Sequence, residues 1–187
     1  MRVEQHLKGN RTPVSLVAGL FALYLASFLL TAPSFSWGNA GFAVCLAVVL
    51  IWVTAHDIKT FEIPDAASVC LLLLAVSSLS LSQPSKLGAH LLAGLALCAL
   101  LWALGEVYFR RQDQEGLGIG DAKLFGAGAV LLGPAKIPDL LLLASIGGIC
   151  GYLIYHRLGL SRNKGIAFGP FIAYAIFILF PLDPVFT

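Results

Sequence analysis

Two acidic clusters flank apolar stretches in this 187-residue sequence, and each contains an aspartate at the edge of such a stretch. The first cluster covers residues 56–65, where Asp57 ends one apolar stretch. The second covers residues 115–124, where Asp121 opens another stretch after glycines at alternate positions. Because charged groups at membrane depth are costly, both acids are candidates for a functional role.

Two carboxyl groups placed close together could carry out hydrolysis. Such a pair resists double ionisation, so one acid keeps its proton while the other is charged. The charged acid can activate a water molecule, and the protonated acid can polarise a carbonyl and help the leaving amine depart. This is aspartyl peptidase chemistry, which needs neither a metal nor a covalent nucleophile. Asp57 and Asp121 would be the two acids, with the roles of base and acid open between them.

The same acids also have structural interpretations. Asp65 and Asp121 could each cap the start of a helix, a contribution of about 1 kcal/mol. Asp57 could pair with Lys59 or with Lys123. From composition and spacing alone, helix capping and membrane transport therefore stay open beside catalysis.

The composition indicates an all-α, polytopic bundle of membrane helices. Of the residues, 58% are hydrophobic and only 12% are charged, against about 25% charged in a typical soluble domain. The net charge of +2 gives no indication of a nucleic-acid partner. Seven apolar stretches predict about seven membrane segments, at residues 14–32, 41–55, 66–81, 88–109, 122–133, 136–155 and 166–182.

The distribution of basic residues predicts the orientation of the chain. With a cytoplasmic N-terminus and seven crossings, the inner side holds ten of them: Arg2, Lys8, Arg11, Lys59, Arg110, Arg111, Lys123, Arg157, Arg162 and Lys164. The outer side holds only Lys86 and Lys136. Both acidic clusters then lie at the cytoplasmic face. Segment 14–32 could be a signal peptide, but it exceeds the usual apolar length of about 7–15 residues, which favours a retained helix.

The cysteines give no sign of a metal site or a disulfide. Cys45, Cys70, Cys98 and Cys150 each lie in an apolar stretch, and none belongs to a C-x-x-C pair. Zinc sites need closely spaced ligands, so these residues are predicted to be small buried apolar groups. No metal and no cofactor are expected.

Three motifs in order resemble those of the type IV prepilin peptidases. Residues 57–65 resemble the first active-site motif, in which an Asp ends a membrane helix and a Pro-Asp pair follows. Residues 115–124 look like the second, a G-x-G-D signature followed by Lys and Leu. Residues 166–173 are similar to the late Phe-Gly-Pro-Phe segment of the family. The resemblance covers roughly residues 41–182.

The resemblance implies that Asp57 and Asp121 are the catalytic acids of a membrane endopeptidase. It also implies supporting positions at Lys59, Pro64, Asp65, Gly118, Gly120 and Lys123. The implied location is the bacterial inner membrane, with the active site at the cytoplasmic face. Residues 41–187 would form a six-helix peptidase domain, and residues 1–40 a cytoplasmic N-terminus with one extra membrane helix.

The implied substrate is a pilin-like precursor with a short basic leader, of a type IV pilus, a type II secretion pseudopilus or another pilin-like system. Glu62, Asp113 and Glu115 could hold the leader electrostatically. Members that also N-methylate the product carry an extra N-terminal region with C-x-x-C pairs, so cleavage without methylation is expected here. His56 is not a residue expected beside the first acid; it could shift the pKa of Asp57, cap the helix or face lipid headgroups.

Two other functions use the same residues. A small ion- or proton-coupled transporter would use Asp57 and Asp121 as a relay, although the sequence shows no pair of related halves. A non-catalytic assembly factor on the same fold is less consistent with two intact acids. The oligomeric state is open, because Gly147 and Gly151 have the G-x-x-x-G spacing that packs helices between or within chains.

Overall fold

The computed structural model describes residues 37–112, 116–157 and 166–180, together with residues 22, 26 and 27. The regular elements in these ranges are all helical, which confirms the predicted all-α class. There are six α-helices: α1 Trp37–Thr60, α2 Asp65–Ser82, α3 Leu87–Gln112, α4 Ile119–Leu132, α5 Ile137–Arg157 and α6 Gly169–Leu179. Short 3₁₀ turns at Pro84–Lys86 and Pro134–Lys136 connect α2 to α3 and α4 to α5.

Four helices in the described part are long and apolar enough to cross a membrane, so the chain is a multi-pass membrane protein. They are Gly41–Thr60, Asp65–Ser82, Pro84–Gln112 and Pro134–Arg157. The prediction of seven segments is not confirmed. Helix α4 has 14 residues and α6 has 11, or about 21 Å and 16 Å, against a hydrocarbon core of about 30 Å.

Helix α4 is the centre of the bundle. It packs against α2, α3 and α6, and nearly every residue from Ala122 to Leu132 is buried. A helix that is apolar on all sides is expected inside a protein, whereas α2, α3 and α5 expose large apolar side chains on their outer faces. Helix α6 packs against α1 and α5 and completes the far side of the bundle.

The close contact between α3 and α4 depends on two glycines. A Cβ atom added to Gly94 would lie 2.6 Å from the carbonyl oxygen of Gly126, and one added to Gly126 would lie 3.1 Å from that of Gly94. Small residues of this kind let helix backbones approach within a membrane. Gly147 and Gly151 both contact Phe171 of α6, so the G-x-x-x-G pair packs within the chain.

Helix α4 is held at its C-terminal end by a buried histidine. His90 of α3 lies 2.9 Å through Nδ1 from the carbonyl oxygen of Val130. The helix ends at Gly133, whose φ of 79° is a left-handed conformation that glycine adopts readily. The ring of His90 packs where a Cβ of residue 133 would stand.

Most of segment 14–32 lies outside the described residues. Within it, the Ser27 hydroxyl lies 3.0 Å from the Tyr174 hydroxyl of α6. The orientation in the membrane remains a prediction, as does the boundary between an N-terminal part, residues 1–40, and a peptidase domain, residues 41–187.

Candidate active site

The two acidic clusters meet at one end of the bundle. Four contacts place the ends of α1 and α3 beside the starts of α2, α4 and α6. Lys123 pairs with Asp65, Gly120 packs on Ile63, Gly105 approaches Leu117, and Asp57 binds Gly169. The bundle therefore gathers residues from distant parts of the chain at a single polar end.

Asp57 lies in the last turn of α1 and is only 4% exposed. Its Oδ2 accepts a hydrogen bond from the backbone N–H of Gly169, the first residue of α6, at 2.8 Å. A carboxylate at a helix N-terminus is stabilised by the free N–H groups and by the helix dipole. Phe168, just before α6, helps to seat this helix start, because its ring lies 6.1 Å from that of Phe125.

Asp121 lies in the first turn of α4, outside the four helices of spanning length. The alternative in which Asp121 is the N-cap residue of this helix is wrong, because the N-cap is Gly118. Its side chain instead turns back and accepts a hydrogen bond from the Gly118 backbone N–H, as the third residue of a capping box does.

The environment of Asp121 favours its protonated form. Burial is the largest influence on Asp121 and raises its pKa, and the negative charge of Asp57 raises that pKa further. The hydrogen bond from Gly118 lowers it by a smaller amount, so the pKa of Asp121 rises from 3.8 to about 6. Asp57 therefore lies close enough to Asp121 for its charge to be felt. This arrangement can hold one ionised and one protonated carboxyl group at mildly acidic pH.

The salt bridge at this end joins Asp65 to Lys123 at 2.6 Å. Asp65 is the first residue of α2, and Pro64 is the N-cap without a side-chain hydrogen bond, so the predicted capping role of Asp65 is wrong. The alternative pairing of Asp57 with Lys123 is also wrong, since Lys123 binds Asp65. Lys59 is exposed in the last turn of α1, where a positive charge complements the helix dipole.

His56 shapes the turn between α1 and α2. Its Nδ1 lies 2.9 Å from the carbonyl oxygen of Glu62, and the Thr60 hydroxyl donates to the His56 carbonyl at 3.0 Å. Between them Phe61 adopts a positive φ of 59°. These bonds fix the turn that carries Ile63 onto α4.

The alternate glycines act through close approach. A Cβ atom added to Gly120 would lie 3.0 Å from Cβ of Ile63, and one added to Gly118 would lie 3.3 Å from Oδ2 of Asp121. The expectation of unusual dihedral angles is wrong for Gly118, whose φ is −66°. The only positive-φ glycine in the described part of the chain is Gly133.

The predicted leader contacts are only partly described. Glu62 is exposed in the turn after α1, at the same end as the two acids. Asp113 and Glu115 lie outside the described residues. Across the described ranges, no group of three His, Cys, Asp or Glu side chains could hold a metal ion.

Two residues near the acids were not identified as site residues from the sequence. Gly169 appeared only within the Phe-Gly-Pro-Phe segment, and its contact with Asp57 spans 112 positions that no local pattern links. Thr54, one turn before Asp57, is buried, and its hydroxyl has no hydrogen-bond partner among the described atoms. A threonine in an apolar helix gives no distinguishing signal.

Comparison with known proteins identifies the family. Residues 44–153 match the sequence profile of the type IV leader peptidase family. The chain belongs to the type IV leader peptidase family. The matched range contains both Asp57 and Asp121, and it runs from α1 into α5. The resemblance inferred from the three motifs is therefore confirmed.

Curated relatives of this leader peptidase family member are about 30% identical to it over most of its length. A prepilin leader peptidase/N-methyltransferase of Pectobacterium carotovorum subsp. carotovorum is 32% identical over 152 residues, which are 80% of this chain and 53% of that protein. A protein of the same name from Aeromonas hydrophila is 31% identical over 174 residues, or 90% of this chain and 59% of that protein. The chain thus spans little more than half the length of these relatives. No solved structure matches it.

Proposed function

We propose that this chain is a membrane aspartyl endopeptidase that removes a short basic leader from pilin-like precursors, with Asp57 and Asp121 as its catalytic acids. The observation that carries the proposal is that the bundle brings Asp57 and Asp121 together at one polar end, where the charge of Asp57 helps to raise the pKa of Asp121. Family membership supports the reaction class, and the names of the relatives supply the substrate class.

In the proposed mechanism Asp57 is the base. The Gly169 N–H and the start of α6 stabilise the negative charge of Asp57. The ionised Asp57 then accepts a proton from a water molecule as that water attacks the scissile carbonyl carbon. The protonated Asp121 donates a hydrogen bond to the carbonyl oxygen. As the carbon–nitrogen bond breaks, a proton passes to the leaving amine, and the pair returns to one shared proton.

The proposal places the reaction at the cytoplasmic border of the bacterial inner membrane. The distribution of basic residues supports this orientation, because the sequence predicts ten of the twelve on the cytoplasmic side. Glu62, Asp113 and Glu115 would attract the basic leader, while the apolar helix of the precursor stays in the bilayer. Residues 41–187 would form the peptidase domain.

The proposed reaction is cleavage without N-methylation. The 187 residues contain no C-x-x-C pair, whereas the names of the relatives include N-methyltransferase. Incubation with a pilin precursor and S-adenosylmethionine, followed by mass spectrometry of the new N-terminus, tests this point. An unmethylated mature product is expected, and a methylated one would contradict it.

The catalytic pair is tested by Asp57→Asn and Asp121→Asn, each assayed with a pilin precursor in proteoliposomes. Each variant is expected to cleave about 100-fold to 10,000-fold more slowly, because general acid–base catalysis contributes on that scale. Asp139→Asn is the matched control, because Asp139 is a half-exposed acid in the first turn of α5, at the other end of the bundle. Full processing by either site variant would exclude the pair, whereas no cleavage by the unaltered chain would favour the transporter alternative.

A further inference from the structure

A groove of about 510 Å³ lies between α2, α3 and α4. Its walls are mainly apolar and include Leu72, Leu95 and Val130. Its polar lining includes Ser68, Asp65 and Lys123. The groove is thus an apolar channel with one charged end, between two helices of membrane-spanning length.

This groove is separate from the proposed catalytic pair. On α4 its lining residues are Lys123, Gly126, Ala127 and Val130, which recur at the three- and four-residue spacing of a single helix face. Asp121 precedes Lys123 by two positions, which places it about 200° around the helix. The peptidase mechanism therefore leaves the groove without a role.

Ser68 points to a ligand in the groove. Its side chain lines the groove and is 6% exposed, yet its hydroxyl has no hydrogen-bond partner among the described atoms. A buried hydroxyl without a partner is costly, so an acceptor from outside the chain would complete this site. Ser68 lies one helical turn from Asp65, and so close to the charged end.

The charged end retains unused bonding capacity. Asp65 and Lys123 bind each other at 2.6 Å, but their side chains are still 73% and 42% exposed. An ammonium group has three donors and a carboxylate accepts several hydrogen bonds. The pair can therefore bind a second molecule that carries one positive and one negative group side by side.

We propose that the groove binds one zwitterionic phospholipid, such as phosphatidylethanolamine. One acyl chain lies along the apolar walls, an ester carbonyl accepts a hydrogen bond from Ser68, and the phosphate and ammonium groups bind Lys123 and Asp65. The apolar walls fit an acyl chain, and the paired charges at one end fit a headgroup that carries both a phosphate and an ammonium group.

The test is native mass spectrometry of the delipidated full chain titrated with phosphatidylethanolamine, phosphatidylcholine or phosphatidylglycerol. We expect one phosphatidylethanolamine per chain, bound more tightly than the other two lipids, because only its headgroup both donates to Asp65 and contacts Lys123. Ser68→Ala is expected to weaken this binding about tenfold through loss of one hydrogen bond. Ser77→Ala is the matched control, because Ser77 is exposed on α2 and its hydroxyl bonds to the Leu74 carbonyl.

Three results would overturn the proposal. Equal lipid affinity in Ser68→Ala and the unaltered chain would remove Ser68 from the site, provided both have the same helical circular dichroism. Equal or tighter binding of phosphatidylglycerol would exclude a zwitterionic site. Displacement of the lipid by a precursor peptide that itself binds Ser68→Ala more weakly would assign the groove to the substrate helix. None of these readouts depends on peptidase activity, so failure of the lipid proposal and failure of the proposed function can be distinguished.

Discussion

The carboxylate of Asp57 accepts a hydrogen bond from the backbone N–H of Gly169 at 2.8 Å, which joins the end of α1 to the start of α6. A Cβ atom at position 169 would lie 2.8 Å from Oδ2 and 3.1 Å from Cγ of Asp57. Asp57 can therefore occupy this position only because residue 169 is a glycine. The late Phe-Gly-Pro-Phe segment contributes to the site through its backbone.

Gly169→Ala is expected to lower kcat about 100-fold, with little change in KM, because the added methyl group displaces Asp57. The measurement is steady-state cleavage of a pilin precursor in nanodiscs. Gly41→Ala is the control, since a Cβ there meets nothing within 4 Å. An unchanged kcat in Gly169→Ala would show that the position of Asp57 does not limit the reaction.

Asp57→Asn is expected to lower the pKa of Asp121 from about 6 toward 3.8, because it removes the second-largest cause of the shift. Burial, the largest cause, remains, so the return is incomplete. Carbon NMR of chains labelled at the Asp carboxyl carbon measures this pKa. Asp65→Asn is the control and is expected to leave the pKa of Asp121 unchanged. An unchanged pKa of Asp121 in Asp57→Asn would show that the charge of Asp57 does not act on Asp121.

Activity and stability are both expected to fall as pH rises through about 6. The proton on Asp121 is lost in this range, and the proposed mechanism requires it. Because the pKa of Asp121 is higher in the folded chain, folding is favoured most at low pH, and this contribution is lost between about pH 4 and 6. Cleavage rates and thermal unfolding midpoints across this range measure both effects. Asp121→Asn should remove this contribution to the stability change; an unaltered pH profile in that variant would assign it to other groups.

Gly94→Ala is expected to destabilise the fold by about 1–3 kcal/mol, because its Cβ would meet the Gly126 carbonyl at 2.6 Å and force α3 away from α4. Thermal unfolding in detergent measures the effect. Gly88→Ala, on the same helix, is the matched control, since nothing lies within 4 Å of its Cβ. Equal midpoints for the two variants would mean that α3 and α4 do not need this close approach.

The fold class and the polar end of the bundle could be predicted because they depend on composition and short motifs. The apolar content predicted the helices. The alternate glycines before Asp121 predicted a close backbone contact, and Ile63 makes this contact with Gly120. Segment 122–133 is short and Gly-rich, and the sequence predicts it to cross the membrane because the chain must return across the bilayer there. A buried helix and a spanning helix have the same apolar content, so only packing distinguishes α4 from its neighbours.

The pairings at the polar end could not be predicted. The sequence places Asp57, Asp65 and Lys123 at the same membrane face. The rotation of α4 about its axis decides which of the two acids Lys123 contacts. Asp121 lies three residues after the N-cap, because α4 begins at Ile119, and helix boundaries are hard to fix from sequence. The hydrogen bond from Gly169 depends on the placement of α6, which no local motif encodes.

Helix α4 is fastened at both ends, by the salt bridge of Lys123 to Asp65 of α2 and by the contact of His90 of α3 with Val130. It therefore works as a fixed-length spacer of about 21 Å between the two ends of the bundle. Insertion or deletion of a single residue within it would turn Asp121 by about 100° relative to the far attachment and aim the carboxyl group away from Asp57. Substitutions along α4 can preserve the site, but its residue count cannot vary.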